Sequence, residues 1–126
     1  MKNNNNLLPL DAEKKISLVG TLADKPEEVV GAWALSWKAE ECVSIRAGVQ
    51  QVFPNMKYFP CGGPEGELNK EEIQAAGEYG DVIVAVLGET VSMSGEAASR
   101  ADITIPGQQR TLLMQLVKTG KIYSFK

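Results

Sequence analysis

Histidine is absent from all 126 residues, and that absence removes most imidazole chemistry from the chain. There can be no Ser-His-Asp triad, no Cys-His pair and no His-ligated zinc here. Cysteine is scarce: Cys42 and Cys61 have no metal-type spacing, and no metal site is expected. No run of about 18 apolar residues occurs, so no membrane-spanning helix is expected. Positive charge is not in excess either. Thirteen Lys and Arg against 16 Asp and Glu give a net charge of −3, with no basic field to draw in nucleic acid or anionic lipid. The opening MKNNNNLLPL lacks an apolar core of secretory length, so no signal peptide is expected in this chain. Phosphate-binding glycine motifs are missing as well. The stretch Gly20-Thr21-Leu22-Ala23-Asp24 is not G-x-G-x-x-G, no GK[ST] occurs, and Gly62-Gly63 reads as a plain turn. A nucleotide-binding reading would rest on fold class alone, and fold class does not imply function.

What is present is an ordinary globular composition, 44% apolar and 23% charged. The length suits one domain that buries roughly two thirds of its surface. The organising stretch is 81–109, DVIVAVLGETVSMSGEAASRADITIPGQQ. Residues 81–87 form a short Val- and Ile-rich run between Gly80 and Gly88, the pattern of a central strand buried on both faces. From Pro106 a helix opens, with Leu112, Leu113, Leu116 and Val117 at helical spacing over about 108–118 and Gly120 as its stop. Between them, residues 88–105 show no period. A connection that long inside a compact domain is uncommon and often functional. It also leaves the carboxyl end of a parallel-type strand, where open α/β sheets hold their ligands.

The rest of the chain alternates. Leu7, Leu8 and Leu10 read as a docking segment, and 16–19 as the first strand, ended by Gly20. Residues 21–37 are irregular and carry Trp33 and Trp37, read either as a sugar-stacking platform or as cover for a sheet edge or partner surface. A helical stripe through Cys42, Ile45, Val49, Val52 and Phe53 predicts a helix over 38–53, stopped by Pro54. A second strand is expected at 57–60. A helix is expected over 69–79, with Asn69 and Glu72 at capping-box spacing and Ile73, Ala76 and Tyr79 toward the core. The alternation predicts an α/β fold: a three-layer sandwich with a mostly parallel central sheet flanked by helices. After Gly120 the sequence KIYSFK offers at most one short strand, so the sandwich is expected to be truncated at its C-terminus, its last apolar surface exposed or covered by a second copy in a dimer.

The long loop carries Glu89, Glu96 and Arg100 amid Gly, Ala and Ser. Small neighbours at Gly95, Ala97 and Ala98 allow backbone and substrate to approach Glu96. Arg100 and Asp102 are expected to form a local ion pair that holds the loop, with a ligand contact as the alternative.

Taken together these residues resemble the second domain of glycoside hydrolase family 3. The shared pattern is V-x-V-L-G-E at 84–89, S-G-E-A-x-S-R-x-D-I at 94–103 and I-P-G-x-Q at 105–109, followed by a Leu-rich helix. Lys2, Asn3 and the LLPL at 7–10 resemble the entry to that domain, and 16–24 with Gly31 and Trp33 its first strand and loop. The likeness spans roughly residues 2–121 and suggests bacterial β-glucosidases or β-xylosidases, exported to the periplasm or secreted.

The resemblance implies a retaining exo-glycosidase acting on terminal β-D-glucosyl or xylosyl residues. It implies a partner, an N-terminal (β/α)8 barrel of the same polypeptide that supplies an aspartate nucleophile. It places the general acid/base at Glu96, with Ser94 and Arg100 as substrate contacts and no cofactor. Such chemistry needs two carboxyl groups about 5 to 5.5 Å apart across the scissile bond, the acid's pKa raised by burial. With no barrel, this chain alone is expected to hydrolyse nothing. Glu89, at the strand end, is the second candidate acid. A non-catalytic sugar-binding or scaffolding module, with Trp33 and Trp37 as its platform, is the alternative reading.

Overall fold

The computed structural model describes residues 6–31, 33–63 and 65–120. The expected entry at Lys2 and Asn3 and the tail at 121–126 lie outside them. Three strands, β1 (Ile16–Val19), β2 (Met56–Phe59) and β3 (Val82–Ala85), form one parallel sheet in the order β2-β1-β3. Among the described residues three α-helices complete the fold: α1 (Ile45–Val52), α2 (Lys70–Tyr79) and α3 (Gln109–Lys118). The expected α/β sandwich is what forms.

Period-two alternation along the strands divides the core into two layers. Ile16 and Leu18 of β1, Met56 of β2 and Val82 of β3 face one side, where Val49 and Phe53 at α1 and the docking leucines Leu7 and Leu10 pack against them. Val19, Ile83 and Ala85 face the other side, against Ile73 and Ala76 of α2 and Leu112 and Leu116 of α3. Ser17 is the polar exception on that second face. It is fully buried, and its hydroxyl donates to the carbonyl of Ala76 at 2.7 Å, stitching β1 to α2.

The run at 81–87 is not the central strand. That place belongs to β1, the strand hydrogen-bonded on both sides, while β3 is shortened to four residues and its last two are half-buried. The apolar run reflected two covered faces, which an edge strand of a three-layer fold also has. The helix expected over 38–53 begins only at Ile45. Ser44 caps it by accepting the N–H of Ala47 at 3.1 Å, and Cys42 before it is extended. Upstream lies a single 3-10 turn, Ala39–Glu41. Of the proposed stripe, Val49 and Phe53 pack inward, whereas Ile45 and Val52 are exposed.

The Asn69 cap is present, with its Oδ1 accepting from the Glu72 N–H at 3.1 Å. Glu72 does not close the box. Its Oε2 accepts instead from the Cys61 N–H at 2.7 Å, anchoring the turn after β2. Gly20 ends β1 where nothing larger fits: its φ is 110°, and a Cβ there would lie 2.3 Å from the carbonyl oxygen of Val86. That close approach brings the loops after β1 and β3 together at the carboxyl edge of the sheet.

Leu18→Ala is expected to lower the unfolding free energy by about 2–5 kcal/mol. A reduced urea midpoint at unchanged slope would show it. Val43→Ala, at a side chain 60% exposed, should stay within about 0.5 kcal/mol. The Cys61 thiol is pushed up to about 12, first by burial and then by the Glu72 charge. An unfolded thiol ionises near ~8.5, so the fold is favoured fully below that pH and loses this contribution as pH rises toward the folded value. Denaturation curves between pH 7 and pH 11 should therefore fall less steeply with pH for Cys61→Ala than for the wild type.

Candidate functional site

All three strands end level at Val19, Phe59 and Ala85. Two long segments leave this edge, 20–44 after β1 and 86–108 after β3, and the second carries Glu89 and Glu96. Its two ends are fastened by one side chain. Gln109, buried at the start of α3, donates through Nε2 to the carbonyls of Gly88 (2.8 Å) and Pro106 (3.1 Å), and its Oε1 accepts the Gly88 N–H at 2.8 Å. The amide of Gln109 thus replaces the strand partner that Gly88 lacks.

Above that base the loop is folded on itself. Glu89 is held at both oxygens: Oε1 pairs with Arg100 Nε at 3.1 Å, and Oε2 accepts the Ser94 hydroxyl at 3.0 Å. The expected Arg100–Asp102 ion pair is replaced by this one. Arg100 meets Asp102 only through its main-chain carbonyl at 3.4 Å, and its other nitrogens reach the Met93 sulfur and the Thr104 carbonyl. The Asp102 carboxylate is taken by the Thr104 N–H at 2.8 Å. That bond, with help from the Thr104 hydroxyl, holds its carboxyl below the usual carboxylate range.

Beyond Ser94 the chain makes a two-residue turn. Gly95 and Ala98 exchange backbone hydrogen bonds at 3.1 and 3.3 Å, leaving Glu96 and Ala97 at the tip. Gly95 supplies a φ of 133°, and Ala97 sits at φ 60°, a left-handed conformation uncommon outside glycine. Glu96 is exposed, and among the described residues its carboxylate has no hydrogen-bond or ionic partner. The two glutamates are therefore separated by role: Glu89 is built into the loop, while Glu96 is presented by it.

Beside the turn lies an open recess of about 300 Å³, lined by Glu28, Trp33, Glu89, Thr90, Ser94 and Gly95 among others. Trp33 is 73% exposed there, and Trp37 is 38% exposed, so neither is a core side chain. Arg100 and Asp102 line a second hollow, with Glu65 and Ile105. No group of three or more Asp, Glu or Cys arranged to hold a metal ion is found among the described residues. Two residues that sequence reasoning passed over join the site. Gln109 stood in the I-P-G-x-Q motif with no role, and a glutamine opening an apolar helix was the available signal. Glu28, which contacts the loop from the turn Pro26–Glu28, left no local signal.

The fold is a parallel α/β layer whose loop at the carboxyl edge of the sheet raises a carboxylate without a partner among the described residues. More particularly, the chain belongs to the family described as glycosyl hydrolase family 3 C-terminal domain, which it matches over residues 1–123. It is 34% identical over 148 aligned positions to a periplasmic beta-glucosidase of Salmonella typhimurium, covering 96% of this chain and 19% of that protein. It is 31% identical to a beta-xylosidase of Formosa agariphila, covering 96% of this chain and 18% of that protein. Its structure matches the crystal structure of a beta-glucosidase from Listeria innocua in complex with isofagomine, with a TM-score of 0.87 and 32% identity over 97% of this chain and 17% of that one. The chain thus spans under a fifth of the length of these relatives.

Gln109→Ala is expected to cost about 1–3 kcal/mol, because it leaves the N–H of Gly88 without its partner. It should also open the loop. Limited proteolysis should then cut within 89–105 well before any other segment, and an unchanged cleavage pattern would show that the amide grip is dispensable.

Proposed function

We propose that this chain is the C-terminal domain of a retaining exo-acting β-glycosidase that removes terminal β-D-glucosyl or xylosyl residues. In this reading Glu96 is the general acid/base, and a barrel domain of the same polypeptide carries the nucleophile. One observation carries the choice of Glu96: it is the loop carboxylate raised on a turn with no partner among the described residues, whereas both oxygens of Glu89 are occupied. Family membership supports the reaction class. The names of the relatives support a β-glucosidic or β-xylosidic substrate, and one of them supports a periplasmic location.

The reaction runs in two displacements. A carboxylate of the barrel attacks the anomeric carbon as the glycosidic C–O bond breaks, and Glu96 gives its proton to the leaving oxygen. Glu96, now ionised, takes a proton from water as that water displaces the enzyme carboxylate and regenerates both groups. Ser94, which lines the recess next to the turn and donates its hydroxyl to Glu89, is in this reading a substrate contact. Arg100 is the weaker substrate contact, since its nitrogens already serve Glu89, Met93 and Thr104. With one of two carboxyl groups, the chain alone turns over no glycoside. Its exposed apolar side chains Leu35 and Ile103 meet the barrel in the parent or a second copy in isolation, a difference that sedimentation would detect.

A binding module is the second reading, favoured by the exposed Trp33 at the rim of the recess. Saturable quenching of tryptophan fluorescence by glucose, xylose or cellobiose with this chain alone would support it over half an active site.

In the full-length parent, Glu96→Ala is expected to lose about 10²- to 10⁴-fold in rate on substrates with poor leaving groups. Azide should restore turnover of an activated aryl β-glucoside, with a β-glycosyl azide as product. Near-normal rates on both kinds of substrate would overturn the assignment and return attention to Glu89.

A further inference from the structure

Glu28 has no part in the chemistry just described, and it comes from a different loop, the turn after β1. Its Oε2 accepts the N–H of Val91 at 2.5 Å across 63 residues of sequence. Among the described residues this is the one hydrogen bond that reaches 89–105 from outside that stretch. The others are internal, among them Arg100 and Ser94 on Glu89, Arg100 on Met93, Asp102 and Thr104, Thr104 on Asp102, Met93 on Thr90, Thr90 with Ser92, and Gly95 with Ala98. Internal bonds fix the shape of a loop but not its direction. Gln109 fastens the two ends at Gly88 and Pro106. Between these ends, the polar tie to the sheet side is Glu28.

We propose that Glu28 is a positioning residue for the acid/base: by holding the Val91 N–H it sets where the turn carrying Glu96 lies over the active site. The inference rests on the reading of Glu96 as acid/base. A hydrogen bond to an ionised carboxylate is roughly twice as strong as one between neutral groups. A catalytic group misplaced by about 1 Å can cost about 10²-fold in rate. Misplacing an acid hurts the departure of a poor leaving group most, because an activated aryl group leaves with little protonation. Glu28 also lines the recess, so the competing role is direct contact with the sugar, which would appear in KM.

The test uses the full-length parent with Glu28→Ala, Glu28→Gln and Glu96→Ala, each assayed on a β-linked disaccharide and on a dinitrophenyl β-glycoside. Glu28→Ala is expected to lower kcat on the disaccharide about 10- to 100-fold and on the aryl glycoside by less than about 3-fold, with KM little changed. Amide hydrogen exchange at Val91 should quicken in the same variant. Glu28→Gln keeps a carbonyl oxygen to accept from Val91 and should recover most of both properties. Equal losses on the two substrates, a change confined to KM, or unaltered exchange at Val91 would each overturn the proposal. If Glu96→Ala collapses while Glu28→Ala does not, the positioning role alone fails. If Glu96→Ala keeps wild-type turnover of the disaccharide, the acid/base reading fails and this inference falls with it.

Discussion

The structure depends on β1 more than on any other element. It is four residues long, paired in parallel on both sides, and every residue in it is buried. Ile16 and Leu18 serve the layer beneath α1, and Val19 serves the layer beneath α2 and α3. Ser17, which has no apolar contact to offer, is satisfied by the Ala76 carbonyl, so a polar atom in the middle of the sheet is not left unpaired. Burying each such apolar side chain contributes about 1.5–3 kcal/mol. Because β1 belongs to both layers, a change in it is felt on both faces of the sheet.

The candidate site follows from where β1 and β3 stop. Gly20 lets the backbone of the first loop pass against Val86, and this contact brings two irregular segments to one edge. From there the geometry is polar. Gln109 closes the base of the loop, Glu89 and Arg100 brace its neck, and Glu28 ties it to the other segment. The Gly95–Ala98 turn then projects a carboxylate that the loop itself does not use. The loop is hydrogen-bonded at its base and neck and exposed at its tip.

Much of the fold was legible in the residues. The docking leucines Leu7 and Leu10, the strand at 16–19, the Asn69 cap and the Leu-rich last helix were all readable, because each depends on local period or on a cap a few residues away. The long loop was recognisable by its lack of period. Other features were not readable. The order of the strands escaped, since the run at 81–87 and the run at 16–19 look alike from within. The start of α1 at Ile45 escaped because an apolar stripe continues upstream through Cys42 while the backbone there is extended. The partner of Arg100 escaped too. Asp102 is nearer in sequence, but its carboxylate is committed to Thr104, and the fold of the loop brings Glu89 back to the guanidinium.

The sequence by itself determined the class of fold, the family and the loop in which the acids lie, because hydrophobic period, caps and motif spacing are properties of neighbouring residues. The tertiary structure alone decided which glutamate is free. Glu89 and Glu96 lie seven positions apart in the same loop, and the motif that favours Glu96 does not say what either carboxylate binds. They become different only when Arg100 and Ser94 fold back onto one of them and a two-residue turn lifts the other away. The same holds for Glu28, whose partner Val91 lies 63 residues away, and for the bonds of Gln109 to Gly88, 21 residues away. Contacts across that distance are set by the packing of the sheet, and no local pattern encodes them.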